Sequence, residues 1–251
     1  MDKNKIGIVI LAAGDGKRMQ STTPKVMTLI NGKPIIDHVV GKAESVSFPK
    51  EIVVIVSPKH TLVQEHLGDR AVYLVQQEQL GTGHATFVAA PVLQGKSDHV
   101  VVLYGDMPAL STASIEKLVQ RHLERGNTIT LMTATVPDFT NQYSPMNSFG
   151  RIIRGEDGHI VKSVEFKDAT EDERAVKEVN PCIYCFKSDW LFENLPLIKN
   201  ENVQKEYYLT DLIKMGLEKG EKLSSVDIRP EEVFGVNTKE DLDVVSRFLK
   251  N

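Results

Sequence analysis

The sequence predicts an α/β domain built around a twisted, mixed and mostly parallel β-sheet. Short apolar runs alternate with segments of helical period over roughly the first half of the chain. Such runs are typical of strands buried on both faces, and their alternation with helices is the pattern that covers a parallel sheet on both sides. No internal repeat or linker interrupts the 251 residues, so we expect a single domain over residues 1–251.

The strands and helices of this core follow one another in order. Apolar runs predict strands at IGIVIL, EIVVIVS, AVYLVQQ, HVVVLYGD and ITLMTATV. Helices are predicted over residues 34–46, 60–67, 83–93 and 111–126. Ser111 is placed to cap the last of these helices, and Gly126 marks its end.

A β-rich lobe is predicted from about residue 137 to residue 186. Its first segment is polar and rich in turn formers, and RIIRGEDGHIVKSVEF then predicts two strands around a Glu-Asp-Gly turn. We expect this lobe to lie over one end of the sheet. A helix at EDERAVKEV, a strand at CIYCFK, a helix near SDWLFENL and a last helix at about residues 238–249 complete the chain.

The composition excludes several classes of function. Thirty lysines and arginines face 34 aspartates and glutamates, so no overall positive field attracts nucleic acid or anionic lipid. The apolar run Ile6–Ala13 is too short to span a membrane and lacks the cleavage region of a signal peptide, so we expect a cytoplasmic protein without a membrane partner. Cys182 and Cys185 have no second pair to complete a metal site, which favours two inert thiols.

A glycine-rich loop follows the first strand, at the edge where open α/β sheets bind ligands. The loop LAAGDGKRM ends at Met19, and Lys25 comes six residues later. Gly14 and Gly16 allow backbone N–H groups to approach phosphate oxygens, and Arg18 and Lys25 add positive charge, which suits a triphosphate. The alternative is an ordinary glycine-rich turn with two solvated basic side chains. The loop is neither a Walker A loop nor a dinucleotide-binding fingerprint.

Two further positions indicate a ligand site. Asp106 ends an apolar strand, where a carboxylate at the rim of the sheet is well placed to hold a cation. A strand-end Asp is also a common turn former or helix cap. Gln76 opens the block QQEQLGTGHA, whose backbone amides can face a ligand, although an exposed polar strand residue is the alternative there.

Seven more blocks follow the glycine loop in order: QQEQLGTGHA, LYGDMP, FGRIIR, VEFKDAT, EVN, EYYLTDLI and FGVN. Together with the pattern L-x-x-G-x-G-x-R-M and the P-K after it, they resemble the sugar nucleotidyltransferases. More narrowly, the chain is similar to the uridylyltransferase half of the bifunctional N-acetylglucosamine-1-phosphate uridylyltransferase/glucosamine-1-phosphate acetyltransferases. The resemblance implies the nucleotide-diphospho-sugar transferase fold, a Rossmann-like sheet with a small sugar-binding lobe, and UDP-N-acetylglucosamine diphosphorylase activity.

The resemblance also implies roles for individual residues. The implied nucleotide-binding residues are Leu11, Ala12, Ala13, Gly14, Gly16, Gln76, Gly81 and Thr82. The implied sugar-binding residues are Tyr104, Gly150, Glu165 and Asn180. Arg18 and Lys25 are the implied catalytic cations, and Mg2+ is the implied cofactor, with Asp106 and Asn237 as its ligands. UTP and a sugar 1-phosphate are the implied substrates.

The chain departs from the family pattern on the sugar side. The usual N-T-G is replaced by Asn180-Pro181-Cys182, and MNSFG at residues 146–150 replaces P-T-G-Y-G after a longer loop. Pro181 removes one backbone N–H donor. We therefore expect N-acetylglucosamine 1-phosphate to be the best acceptor, with a smaller margin over glucose 1-phosphate than in the bifunctional enzymes.

Other functions stay open at this point. One is a related enzyme with another base or sugar, such as a cytidylyltransferase or a hexose-1-phosphate uridylyltransferase. Another is a non-catalytic sensor of nucleotide sugars that has kept the fold. Because the hexapeptide repeats of the bifunctional enzymes are missing from these 251 residues, we expect no acetyltransferase activity from them.

Overall fold

The computed structural model describes residues 4–14 and 23–250. The described strands are β1 Ile6–Leu11, β2 Leu29–Ile30, β3 Lys33–Pro34, β4 Lys50–Val56, β5 Val72–Val75, β6 His99–Tyr104, β7 Ile129–Thr135, β8 Gly150–Arg154, β9 Ile160–Val164, β10 Glu178–Asn180, β11 Tyr184–Lys187 and β12 Leu223–Ile228. The described α-helices are α1 Ile35–Glu44, α2 Leu62–Leu67, α3 Thr82–Phe87, α4 Ala90–Leu93, α5 Thr112–Arg125, α6 Glu171–Ala175, α7 Ser188–Asn194, α8 Asp211–Glu218 and α9 Lys239–Phe248. No helix within these ranges is long and apolar enough to cross a membrane.

Ten of the described strands form one mixed sheet. Its order is β5-β4-β1-β6-β11-β7-β10-β8-β9, and β12 pairs with β7 outside this path. The strands β5, β4, β1 and β6 pair in parallel, whereas β11 runs antiparallel to β6 and the pairs from there to β9 are also antiparallel. The predicted α/β class is therefore confirmed. The expectation that the lobe lies over the sheet is wrong, because β10, β8 and β9 extend the sheet at one end and β11 lies between β6 and β7.

Hydrophobic cores cover both faces of the sheet. Side chains alternate between the faces along β1, so Ile8 and Ile10 lie in one core and Val9 lies in the other. The first core includes apolar residues of α1 and α5, and the second includes apolar residues of α3, α7 and α8. Helices on both faces explain why the core strands are apolar throughout.

The ends of α5 agree with the sequence prediction. The Ser114 N–H donates to the Ser111 hydroxyl at 3.1 Å, and Gly126 ends the helix in the left-handed conformation. The single helix predicted over residues 83–93 is wrong, because α3 ends at Phe87 and α4 begins at Ala90. Pro91 cannot donate the hydrogen bond that a continuous helix requires.

Two predictions in the lobe also need correction. The helix predicted at EDERAVKEV stops with α6, and its last residues belong to β10, which pairs with β7 and β8. Pairing within the sheet overrides local helix propensity there. The strand predicted at CIYCFK begins only at Tyr184, because Cys182 has a φ of 61°. Both cysteines are free thiols.

A buried histidine connects α5 to the sheet at the edge where β6 and β7 begin. His122 is fully buried, with its Nδ1 at 3.0 Å from the Thr130 hydroxyl and its Nε2 at 3.1 Å from His99 Nδ1. Burial lowers the pKa of His122 to about 3, and the neighbouring His99 and Lys187 act in the same direction. The imidazole of His122 is therefore neutral in the folded protein.

This burial predicts a loss of stability in acid. Unfolded His122 takes up a proton near pH 6.5, whereas folded His122 takes it up only at about pH 3. Between these values its contribution to the free energy of unfolding falls by up to about 1.4 kcal/mol per pH unit as the pH is lowered. Urea unfolding should therefore show the stability gap between wild type and His122→Gln narrowing from about pH 7 to about pH 5. A gap that stays constant would contradict this assignment.

Candidate active site

A cavity of about 230 Å³ lies at the carboxyl edge of the parallel strands, where β1 and β6 end side by side. Its wall contains every described residue predicted for nucleotide binding, together with Lys25, Tyr104 and Asp106. A larger groove of about 1640 Å³ lies at the opposite edge of the sheet, and no predicted site residue lines it. Parallel strands place their loops at one edge, so the smaller cavity is the candidate site.

Three predicted residues meet at one end of this cavity. Lys25 Nζ donates to Asp106 Oδ2 at 2.5 Å and to Asn237 Oδ1 at 2.9 Å. The side chains of Lys25 and Asp106 are 12% and 20% exposed, so water screens their attraction only in part. The structure thus brings together the predicted phosphate-binding lysine and both predicted metal ligands.

Backbone contacts hold these side chains in place. Asp106 follows β6, and its carbonyl accepts a hydrogen bond from the Val236 N–H at 2.9 Å. The next N–H, that of Asn237, donates to the carboxylate of Asp241 in α9 at 2.9 Å. Lys25 lies in a 3₁₀ turn of three residues. The end of β6 and the segment before α9 are therefore fixed against each other.

Asp106 and Asn237 form a donor pair that suits a hard divalent cation. Carboxylate and amide oxygens are the ligands that Mg2+ prefers, and Mg2+ commonly takes only one or two of them from the protein. The same two oxygens already bind one cation, the ammonium of Lys25, so they converge on a single point. In the described part of the chain, no three His, Cys, Asp or Glu side chains are grouped to hold a metal by themselves.

Two glutamines of the loop after β5 reach the cavity. Gln76 is 4% exposed, and its Nε2 donates to the Gly81 carbonyl at 3.2 Å and lies 3.1 Å from His84 Nδ1. Gln79 Nε2 donates to the Ala13 carbonyl at 2.5 Å and so joins this loop to the first one. Gln79 belongs to the block QQEQLGTGHA, but sequence analysis did not single it out.

The segment of residues 206–210 forms hydrogen bonds with the loop that carries Gly81. The Tyr207 N–H donates to the Leu80 carbonyl, and the Gly83 N–H donates to the Tyr207 carbonyl, each at 2.8 Å. Gly81 has a φ of 112°, and a Cβ at this position would lie 2.7 Å from the Tyr207 carbonyl oxygen. Position 81 therefore requires glycine for both its backbone and the space around it.

Thr82 is bound to this segment and to the sheet. Its Oγ1 accepts from the Leu209 N–H at 3.1 Å, and its side chain also forms a hydrogen bond with Tyr104. Burial raises the pKa of Tyr104 well above its usual range, so its hydroxyl stays protonated. Thr82 therefore holds the wall of the cavity together, and its predicted contact with a ligand stays a prediction.

Glu165 and Gly150 face each other in the lobe. Glu165 Oε1 accepts from the Thr210 hydroxyl at 2.7 Å, and a Cβ at Gly150 would lie 3.6 Å from Glu165 Oε2. Burial raises the pKa of the Glu165 carboxyl, the Thr210 hydrogen bond lowers it, and the charges of Asp211 and Asp168 raise it. The absence of a side chain at Gly150 leaves space beside the second carboxylate oxygen.

Asn180 lies in the same lobe but is enclosed by protein. It is 1% exposed, and its Nδ2 donates to the Ser163 hydroxyl at 3.1 Å and to the Tyr184 hydroxyl at 2.8 Å. Its Oδ1 accepts from the Cys182 N–H at 2.9 Å. The side-chain amide is used within the protein, and its predicted contact with sugar hydroxyls stays a prediction.

Arg151 organises the loop that precedes Gly150, although sequence analysis gave it no role. Its side chain is fully buried and donates to the carbonyls of Phe149 and Asn147. Its guanidinium carbon lies 4.4 Å from the ring centroid of Phe139, a cation–π contact. The altered loop on the sugar side is therefore tied to a buried arginine.

Gly16 and Arg18, which the sequence placed in the phosphate-binding loop, lie outside the described residues. Their proposed roles stay predictions. The described parts of that loop, before Gly16 and after Arg18, both reach the cavity, since Gly14 and Lys25 lie on its wall.

The α/β sheet, the cavity at its carboxyl edge and the converging Lys25, Asp106 and Asn237 define a nucleotide-binding transferase domain. The chain belongs to the MobA-like NTP transferase domain family, whose model matches residues 8–197. It is therefore a nucleotidyltransferase.

Several curated relatives carry the description "Bifunctional protein GlmU". The one from Brevibacillus brevis is 41% identical over 98% of this chain and 52% of its own length. The one from Acetivibrio thermocellus is 39% identical over 97% of this chain and 51% of its length. The one from Desulfotalea psychrophila is 36% identical over 99% of this chain and 71% of its length. The chain thus spans about half the length of the first two relatives, and the resemblance seen in the sequence is confirmed.

Solved structures share the fold at much lower identity. A CMP:2-keto-3-deoxy-manno-octonic acid synthetase in complex with CTP has a TM-score of 0.71 at 18% identity, covering 98% of this chain and 99% of its own. A candidate glucose-1-phosphate thymidylyltransferase from Bacillus anthracis has a TM-score of 0.75 at 18% identity, covering 98% of this chain and 96% of its own. These likenesses confirm the predicted fold.

The tight packing at Gly81 predicts a marked effect of one methyl group. Gly95 is a matched control, because its φ is 70° and a Cβ there would meet nothing within 4 Å. We expect Gly95→Ala to lower the free energy of unfolding by about 1 kcal/mol, from backbone strain alone. Gly81→Ala should cost about 2 kcal/mol more, because the Tyr207 carbonyl has to move, and should weaken nucleotide binding. Urea unfolding and calorimetric titration measure both effects, and equal losses in the two variants would refute the packing argument.

Proposed function

We propose that the chain transfers UMP from UTP to N-acetylglucosamine 1-phosphate, giving UDP-N-acetylglucosamine and pyrophosphate, with Mg2+ as cofactor. The observation that carries the proposal is the meeting of Lys25, Asp106 and Asn237 at the end of the nucleotide cavity. The adjacent Tyr104 lies near enough to Asp106 and Glu165 to be affected by both charges. Relatives described as GlmU, at about 40% identity, support this choice of substrates.

The proposed reaction is a direct displacement at phosphorus. An oxygen of the acceptor phosphate forms a bond to the α-phosphorus of UTP, the bond from that phosphorus to the β-phosphate oxygen breaks, and its electron pair leaves with pyrophosphate. The acceptor oxygen is already anionic, so no base has to remove a proton. The direct displacement uses no protein nucleophile, so the proposal assigns catalysis to positioning and charge neutralisation.

Phosphate charge is neutralised in two ways in this proposal, by a metal ion held by Asp106 and Asn237 and by the ammonium of Lys25. Asp106 and Asn237 hold Mg2+, which when bound neutralises phosphate charge and orients the substrates. Lys25 adds a fixed positive charge on the α-phosphate and acceptor side, where its ammonium already faces the two metal ligands. Arg18 is proposed to hold the β- and γ-phosphates that leave.

Gln76 and Gly81 are proposed to select uracil. The Gln76 amide nitrogen is engaged with the Gly81 carbonyl and His84, so its oxygen is the atom that accepts from a base. Uracil presents an N–H between two carbonyl oxygens, and the Gly81 N–H donates to one of those oxygens. Cytosine has no N–H at that ring position, so it leaves the Gln76 oxygen unpaired.

The sugar is proposed to bind beside Glu165, Gly150 and Tyr104, with Asn180 supporting the pocket. Glu165 Oε2 accepts a hydrogen bond from a ring hydroxyl in this proposal, and the absence of a side chain at Gly150 leaves space for that hydroxyl. We further propose that residues 1–251 act as one nucleotidyltransferase domain, in which the lobe over about residues 137–186 binds the sugar.

A turnover screen tests this function. UTP, CTP, GTP and dTTP are each combined with N-acetylglucosamine 1-phosphate or glucose 1-phosphate and Mg2+, and pyrophosphate release is measured. We expect the highest kcat/KM for UTP with N-acetylglucosamine 1-phosphate. The margin over glucose 1-phosphate should be about threefold to tenfold, the range that one ordinary hydrogen bond gives.

The role of Lys25 is tested by its replacement. Lys25→Met should lose at least about 100-fold in kcat, because the fixed positive charge beside the phosphates is gone. Lys96→Met, at the opposite edge of the sheet, is the control and should match wild type.

The other results of the screen identify the rival functions. Equal rates with UTP and CTP would refute base reading by Gln76 and indicate a cytidylyltransferase. A glucose 1-phosphate preference above about tenfold would refute the acceptor, since one hydrogen bond does not account for it. No turnover with any of these pairs would refute the proposed substrates, and binding of UDP-N-acetylglucosamine without any turnover would favour a non-catalytic nucleotide-sugar sensor.

A further inference from the structure

Thr210 uses its hydroxyl in an unusual way. It is the residue immediately before α8, where threonine commonly caps the helix through its side chain. No such capping bond is formed, and the hydroxyl donates instead to Glu165 Oε1 at 2.7 Å, across 45 residues of sequence. Thr210 is 8% exposed, so water does not readily replace this contact. The Thr210 hydroxyl therefore donates its hydrogen bond to the Glu165 carboxylate and not to the helix.

Glu165 needs such a contact to keep one orientation. Its side chain is largely removed from water, and the carboxylates of Asp211 and Asp168 act on it with charge of the same sign. The Thr210 hydroxyl is the only hydrogen-bond donor that Glu165 has among the described side chains, and it fixes Oε1 while Oε2 lies towards Gly150. Without the donor, the carboxylate is free to rotate about its last bond and to turn Oε2 away from Gly150.

Thr210 is itself held by the nucleotide side of the site. The preceding residue, Leu209, donates its N–H to the Thr82 hydroxyl at 3.1 Å, and Tyr207 exchanges backbone hydrogen bonds with the loop that carries Gly81. The position of the hydroxyl is therefore set by the same loop that lines the nucleotide cavity. Hydrogen bonds of Tyr207, Leu209 and Thr210 therefore connect this loop with Glu165.

We propose that Thr210 is a positioning residue, which orients the Glu165 carboxylate for the ring hydroxyls of the sugar 1-phosphate and ties that orientation to the nucleotide-binding loop. This inference rests on the function proposed above, in which Glu165 binds the acceptor sugar. Thr210 does not line the nucleotide cavity, so we expect its removal to affect the acceptor and not UTP.

Steady-state kinetics of Thr210→Val and Thr210→Ser test the proposal. Valine keeps the shape but lacks the hydroxyl, so we expect KM for N-acetylglucosamine 1-phosphate to rise about tenfold, the effect of losing one hydrogen bond to a charged group. KM for UTP and kcat should change by less than about twofold, because the nucleotide contacts and the metal ligands are intact. Thr210→Ser keeps the donor and should restore the acceptor KM to within about twofold of wild type.

A second variant controls for loss of stability. Thr170→Val removes a genuine capping threonine from α6 in the same lobe, so it should lower the thermal midpoint and leave the acceptor KM unchanged. Binding gives a readout without turnover: Thr210→Val should weaken UDP-N-acetylglucosamine about tenfold and leave UDP unchanged in calorimetric titration. If the valine variant does not fold, Thr210→Ala lacks the same donor and takes its place.

The outcomes separate this proposal from the one on which it rests. An unchanged acceptor KM in Thr210→Val with an active wild type would overturn the role of Thr210 alone. A serine variant as impaired as the valine variant would also overturn it, because the hydroxyl would not be the cause. A wild type that turns over no sugar 1-phosphate would overturn the proposed function and this inference together.

Discussion

The site depends on the position of one carboxylate, that of Asp106, at the carboxyl edge of a buried strand. A charged group there loses part of its hydration, and a cation must compensate for that loss. Lys25 supplies the charge from 81 residues away in the sequence, and Asn237 supplies a second oxygen that lies 212 residues from Lys25. The first loop, the centre of the sheet and the segment before α9 are thereby held at one point, which is where a nucleotidyltransferase must gather phosphate charge.

The change from parallel to antiparallel pairing places the two halves of the site side by side. The parallel strands β4, β1 and β6 bring their loops to the carboxyl edge, as open α/β sheets do. Because β11 runs antiparallel to β6, its beginning lies at that same edge, and Tyr184 pairs there with Val102. The turn before β11, with Asn180 and Cys182, is therefore brought next to Tyr104 at the end of β6. The lobe and the cavity share a wall for this topological reason.

The nucleotide side could be predicted from the sequence because local patterns carry it. An apolar strand followed by a glycine-rich loop, and a strand that ends in Asp106, are signals within a few residues of each other. The structure placed every described member of that set on one cavity. Boundaries within helices were less predictable, since Pro91 divides a segment whose period was continuous.

Contacts between distant segments could not be read from the sequence. Gln79 forms a hydrogen bond with Ala13, 66 residues away in the sequence, and Thr210 forms one with Glu165, 45 residues away. No helical or strand periodicity connects residues at such separations. Asn180 was expected to face a ligand, but its surroundings, Ser163, Tyr184 and the Cys182 N–H, depend on how β9, β10 and β11 come together. The sequence motif identifies such a residue, but its hydrogen-bond partners are set by how distant segments pack in the folded chain.

Electron paramagnetic resonance of Mn2+, used in place of Mg2+, tests most directly whether Asp106 and Asn237 bind a divalent cation. Asp106→Asn should raise the Kd for Mn2+ at least about tenfold, whereas Asp157→Asn, in an exposed turn, should leave it unchanged. Lys25→Met should bind Mn2+ at least as tightly as wild type, because the ammonium no longer competes for the two oxygens. Equal Mn2+ affinity in wild type and Asp106→Asn would contradict cation binding by Asp106.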